Sequence, residues 1–293
     1  MKQGIFSRLY VFFAVSACVL IPGIWSILTH GLKPSIDFTG GSMLELKTSA
    51  PNVDQLVLSL QKIEGVQSVV KTDQNSVIIR AQVMSNDEKN QIVAQLSDEV
   101  TDIEELRFET LGPLLGKELL NKTLVAVGLV SLIITLYVWR QFNDFKFGVS
   151  AILAMLHDSL VVLGMFSLFG WWWGVEVDVL FVTALLTTLS FSVHDTIVVF
   201  DRIRELKQKH RGANLETIAH YAVLETMSRS INNSMTIIIM LVALVLLGGD
   251  TIRWFGVALL VGSITGTYSS TFTAVPLVLT LTKFFAQKKS HVF

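Results

Sequence analysis

Apolar residues in this chain fall in long unbroken runs rather than in short periodic stripes. A run of about twenty such residues is the length that crosses a bilayer as a helix. Runs of this kind occupy Leu9–Leu28, Leu119–Trp139, Phe147–Phe169 and Val179–Phe200. A shorter one covers Met235–Leu247 and extends back toward Ile231, and a long one reaches from near Phe255 to Phe285. The pattern predicts a polytopic α-helical membrane protein with six transmembrane helices. In the last run Gly262 and Gly266 have GxxxG spacing, which admits a close helix neighbour, and packing within the chain is the expected use. Pro276 is a candidate kink, as are Gly or Ser neighbours.

Between the first and second runs, residues 30–116 change character. Short β-rich stretches alternate with helical ones: strand Met43–Thr48, helix Val53–Ile63, strands Val66–Thr72 and Ser76–Gln82, helix Asn86–Val100, strand Glu105–Leu111. Asn52 or Asp54 is positioned to begin the first helix, and Gly65 follows its end. Ser85 with Glu88 three residues on has the spacing of a capping box. The order βαββαβ predicts an α+β ferredoxin-like domain, a fold that names no function by itself. The chain thus divides into residues 1–29 with the first span, the 30–116 domain, and residues 117–293 with the remaining spans.

Composition agrees with a membrane protein: mean hydropathy is +0.56 and 16% of residues are charged, against about 25% in soluble domains. The net charge of −1 conceals an asymmetry, because residues 30–116 hold 13 acidic and 7 basic side chains. The single cysteine, Cys18, excludes an internal disulfide and a cysteine metal cluster. Lys2 and Arg8 precede the first run as in a signal peptide, but the run exceeds the usual core of about 7–15 residues and no small-x-small cleavage site follows, so an uncleaved span is expected. Lysine and arginine in short loops mark the cytoplasmic side. Arg140, Lys146, the cluster Arg202, Arg204, Lys207, Lys209 and Arg211, and Lys283, Lys288 and Lys289 all fall on one side. Both termini are expected in the cytoplasm of a bacterial inner-membrane protein, with the 30–116 domain extracytoplasmic. Residues 214–231, with Leu215, Ile218, Ala219, Ala222 and Met227 near one face, predict an amphipathic helix along the inner membrane surface. The neighbouring basic residues suit anionic lipid, and no nucleic acid is expected.

Few ionisable residues lie inside the runs, and each is costly there, at least about 2.5–3.5 kcal/mol for a carboxylate on insertion scales. His157 and Asp158 sit in the third run, His194 and Asp195 in the fourth. Neighbours on a helix diverge by about 100°, so an imidazole is expected to meet a carboxylate from the other helix. Histidine titrates near neutrality, which suits a proton relay better than hydrolysis. Zinc is the competing ligand for two His and two Asp, but adjacent pairs lack the i, i+3 spacing of helical metal sites, and no metal is expected; polar glue between packed helices is the other alternative. Arg229, just before the fifth run, either snorkels to headgroups or acts as counter-charge to Asp195. Asp201 and Arg202 read as a solvated helix end. Asp37, Phe38, Thr39, Gly40 and Gly41 form a turn in which paired glycines permit tight backbone geometry.

Taken together, Ile36–Gly41 (IDFTGG), His157–Asp158, Ser192–Glu205 (SVHDTIVVFDRIRE), Arg229 and Gly248–Gly249 resemble the SecD/SecF family of bacterial Sec-dependent protein export, within the resistance–nodulation–division superfamily. The resemblance covers nearly the whole chain. It departs at His194, where the family more often has asparagine. What it implies is a non-enzymatic subunit that uses the proton motive force, with protons as coupling ion and no other cofactor, to assist late translocation. Asp195 matches the family's proton-coupling Asp and Arg229 its functional Arg. The implied partners are a SecD-like subunit, the SecYEG channel with accessory membrane subunits, and the translocating unfolded polypeptide. A half-transporter of the same superfamily for lipids or small molecules is the alternative.

Overall fold

The computed structural model describes residues 9–290 except 50–52, 61–62, 64, 72–74, 101 and 143. Lys2, Arg8, Asn52 and Thr72, used above, lie outside the described residues. The chain forms two compact units, one of residues 33–126 with 176–179, the other of residues 1–32, 127–175 and 180–293.

The first unit carries α2 (Ile36–Thr39), β1 (Gly41–Lys47), α3 (Val53–Leu60), β2 (Val66–Lys71), β3 (Ser76–Ala81), α4 (Asn86–Glu99) and β4 (Glu104–Leu111). Its sheet has the order β2-β3-β1-β4, with every neighbouring pair antiparallel. Alternate residues of β1 and β3, namely Leu44, Leu46, Val77 and Ile79, are buried with Leu56 and Leu60 of α3 and Leu96 of α4, as period-two strands packed on amphipathic helices require. The capping box is formed: Ser85 accepts from the Glu88 N–H, and the Glu88 carboxylate accepts from the Ser85 N–H at 2.7 Å. Those bonds hold the Glu88 carboxyl below its ordinary pKa.

The second unit is helical. It holds α1 (Leu9–His30), the later part of α5 (Pro113–Gln141), α6 (Phe145–Trp173), α7 (Val179–Lys209), α8 (Leu215–Leu247), α9 (Asp250–Ser269) and α10 (Val275–Ser290). Among the described residues five helices, α1 and α5–α8, are long and apolar enough to cross a membrane. The sixth apolar run is divided instead by a π-helical turn, Ser270–Ala274. Pro276 has no N–H and its ring crowds the carbonyl four residues earlier, so the break falls ahead of it rather than as a kink at it.

The surface helix expected over residues 214–231 is not a separate element. α8 runs unbroken for 33 residues, about 50 Å at the helical rise. Polar residues around position 230 interrupt the hydropathy without interrupting the helix, because Ser230 and Ser234 are buried and bonded to α7 and α9 side chains. Small residues set the helix crossings: a Cβ on Gly23 of α1 would lie 2.9 Å from the Gly164 Cα of α6. Gly262 and Gly266 of α9 lie against Thr188 and Ser192 of α7, so the GxxxG pair serves packing within the chain.

Candidate functional site

α7 presents its two ionisable neighbours differently. Asp195 is half-buried and His194 exposed. Asp195 Oδ2 accepts a short hydrogen bond from the Ser230 hydroxyl of α8. Beside it a crevice opens between α7, α8 and α9, lined by Phe191, His194, Asp195, Asn233, Ser234 and Thr267 among others. Arg229 is exposed. Its neighbour Ser230, rather than Arg229, meets the Asp195 carboxylate, so the counter-charge arrangement is not the one in this structure.

Asp158, on α6, is 4% exposed and has three partners. Its Oδ2 accepts from Ser192 Oγ of α7 and from Ser269 Oγ of α9, each at 2.5 Å. Its Oδ1 lies 2.8 Å from His157 Nδ1. The expected contact between an imidazole and a carboxylate of different helices is therefore corrected at both sites, although His194 and Asp195 do diverge. The imidazole and carboxylate of His157–Asp158 bend toward one another on the same helix, because Nδ1 sits close to the backbone and a short side chain reaches it. Asp195 meets a serine, not an imidazole. The hydroxyls of Ser192, Ser230 and Ser269 escaped the sequence reading. The signal that was available is their setting, small polar residues inside otherwise apolar helices, which bond across helix interfaces.

At the far end of α7, Arg202 is more than a solvated helix terminus. It pairs with Glu205 one turn on and with Glu225 of α8, while Asp201 lies 3.1 Å from Arg204. Among the described residues no group of three His, Cys, Asp or Glu side chains is placed to hold a metal ion.

The 37–41 segment lies in the other unit. Ser35 caps α2, and the chain then turns through Gly40 at φ +72° and Gly41 at φ +123°. A Cβ on Gly40 would lie 2.6 Å from the Pro113 Cα, and one on Gly41 2.9 Å from the Ala81 carbonyl oxygen. Both glycines are thus demanded twice, by conformation and by space. Asp37 Oδ2 accepts from the Val179 N–H at 3.2 Å. The 176–179 stretch is also held by Arg80 of β3, paired with Glu176 at 2.5 Å. Burial raises the Glu176 carboxyl above its ordinary pKa, with Arg80 opposing that rise.

Comparison with known proteins shows the family of the chain. Residues 91–284 match the family described as "Protein export membrane protein SecD/SecF, C-terminal", and residues 25–51 match the "SecD/SecF GG Motif". A protein translocase subunit SecF of Anaerolinea thermophila is 39% identical over 93% of this chain and 92% of its own. The one from Thermobaculum terrenum is 40% identical over 92% of this chain and 91% of its own. The crystal structure of SecDF from Thermus thermophilus, titled a translocon-associated membrane protein, superposes with a TM-score of 0.84 at 32% identity and covers 95% of this chain. This chain spans only 39% of that longer SecDF chain. On these matches, which reach from the glycine turn to α10, the chain belongs to the SecD/SecF family of protein-export membrane proteins.

Proposed function

We propose that the chain is one membrane half of a proton-driven device that assists late protein export through the Sec pathway, with a SecD-like subunit as the other half. The carrying observation is the half-buried Asp195 in a crevice between three apolar helices, bonded to a neutral serine and reachable from the crevice. A carboxylate in that setting has no structural need for its charge and is open to proton exchange. Arg229, His194 and the His157–Asp158 pair are the further members of the proton-coupling set. Protons are the only coupling species the reading requires, and no enzymatic step enters it.

The remaining architecture follows the same reading. α9, the π turn and α10 together make the sixth span, and the αβ unit is ferredoxin-like, supported by its βαββαβ order and its antiparallel β2-β3-β1-β4 sheet. The loop charges place both termini in the cytoplasm and the αβ unit outside. There it meets the emerging unfolded polypeptide or the partner. SecYEG and its accessory membrane subunits complete the assembly, and anionic lipid meets the basic end of α7.

The energy scale suits a two-state movement. One charge crossing 100 mV gains about 2.3 kcal/mol, enough to bias a population but not to drive a large rearrangement alone. The test is Asp195→Asn in membranes carrying the partner, with export followed at intact and at collapsed proton gradient. The expected result is export reduced to the level of membranes lacking the chain, with no residual dependence on the gradient. Export at the wild-type level, still gradient-dependent, would remove the proposal.

A further inference from the structure

The enclosed pair on α6 has a donor and acceptor count that singles out one atom. Asp158 Oδ2 accepts two serine hydroxyls, from Ser192 and Ser269, which uses both of its lone pairs. Oδ1 faces His157 Nδ1 at 2.8 Å. With Asp158 ionised, Oδ1 can only accept, so Nδ1 carries the proton and points it at Oδ1. That leaves His157 Nε2, which is buried and without a hydrogen-bond partner among the described residues. A carboxylate holding one imidazole nitrogen, with the other left as the working atom, is the arrangement by which an orienting acid sets a histidine's tautomer.

We infer that His157 Nε2 is a second proton-exchanging atom within the membrane unit, separate from Asp195, and that Asp158, Ser192 and Ser269 are positioning residues that fix its tautomer. Uptake forms an N–H bond at Nε2 and leaves the Nδ1–H bond and all three bonds to Asp158 in place. The pair passes from one negative charge to none, and release reverses this. Protonating Asp158 directly would instead displace one of its three donors. Ser150 lies seven residues earlier on the same face of α6, about 10 Å along the axis. Its buried hydroxyl likewise has no partner among the described residues.

The groups able to influence this titration are few. α7 supplies Asp195 and His194, three and two residues beyond Ser192. α9 supplies Tyr268, next to Ser269. The π turn supplies no ionisable group, α1 supplies Tyr10, Cys18 and, at its far end, His30, and α10, which also packs on α6, supplies Lys283. The inference rests on the proton-coupling reading for its purpose, though not for its geometry.

The experiment is nitrogen NMR of the full chain with its partner in lipid bilayers, labelled at histidine, with the His157 signal assigned by its loss in His157→Asn. Asparagine keeps a donor near the Nδ1 position, so this variant retains the bond to Asp158. The expected wild-type result is the Nδ1–H tautomer in a sample at about pH 8 and a ring carrying a proton on both nitrogens in a sample acidified to about pH 5. Asp158→Asn is expected to switch the neutral ring to the Nε2–H tautomer, because the new amide donates to Nδ1. A wild-type ring that is Nε2–H at high pH, a ring that never gains a second proton over that range, or a tautomer indifferent to Asp158→Asn would each overturn the inference. Asp195→Asn in the same preparation separates the two proposals. Lost export with a silent His157 ends the inference alone. Retained export ends the proposed function, whatever His157 does.

Discussion

Asp158 and Asp195 differ in setting because their neighbours differ. Three side chains on three helices enclose the first, while the second meets a single serine beside an open crevice. The same logic of neighbours governs Gly40. An alanine there meets a backbone region, φ +72° and ψ 173°, that is open essentially to glycine alone, costing about 1–3 kcal/mol, and also Pro113 at 2.6 Å. Gly65 has a positive φ of +90° but nothing within 4 Å of its added Cβ. Gly40→Ala is therefore expected to lower the melting temperature of the purified chain clearly more than Gly65→Ala. Equal shifts would show that the contact with Pro113 does not matter. The glycine pair was legible in the sequence as a turn; its partner Pro113 was not, because the contact joins residues far apart in the chain.

Elements were legible to the extent that local pattern determines them. The strands and α4 fall within one or two residues of the expected bounds because period-two alternation and the Ser85–Glu88 cap are local signals. α8 and the π turn were not legible, since Ser230 and Ser234 look like a break until their partners on α7 and α9 are known. The 176–179 stretch is a similar case: its anchors, Arg80 and Asp37, lie on distant parts of the chain. Burial raises the folded-state pKa of Glu176, which fixes the sign of a pH effect. Below the ordinary glutamate value, about 4.3, the group is protonated in both folded and unfolded chains and contributes nothing. As pH rises through that value toward the raised folded one, the unfolded chain loses its proton first and stability falls. Thermal unfolding of wild type minus that of Glu176→Gln is expected to decline across that window and then level off. A difference that rises with pH would mean Arg80 outweighs burial.

At the scale of the whole molecule the chain leaves apolar surface that it does not cover itself. None of the most apolar stretch of α5 is buried, and only 11% of that of α8. Lipid satisfies such faces, and so does a second membrane half. The longer SecDF chain, of which this one spans 39%, favours the second half for at least part of that surface. Transporters built from paired repeats place their working groups at the junction between them. The Asp195 crevice, which lies open between α7, α8 and α9, suits such a junction. Purification in mild detergent is expected to bring down a SecD-like polytopic partner in fixed proportion, and recovery of the chain alone would contradict the two-half reading. Orientation can be checked on the same chain, because Cys18 is the only cysteine to remove. In a Cys18→Ser background, a cysteine replacing exposed Glu104 of β4 is expected to react with an impermeant maleimide added outside intact cells. One replacing Lys207 of α7 is expected to react only after the membrane is opened. The loop charges require those two outcomes together, since a chain inserted the other way would exchange them.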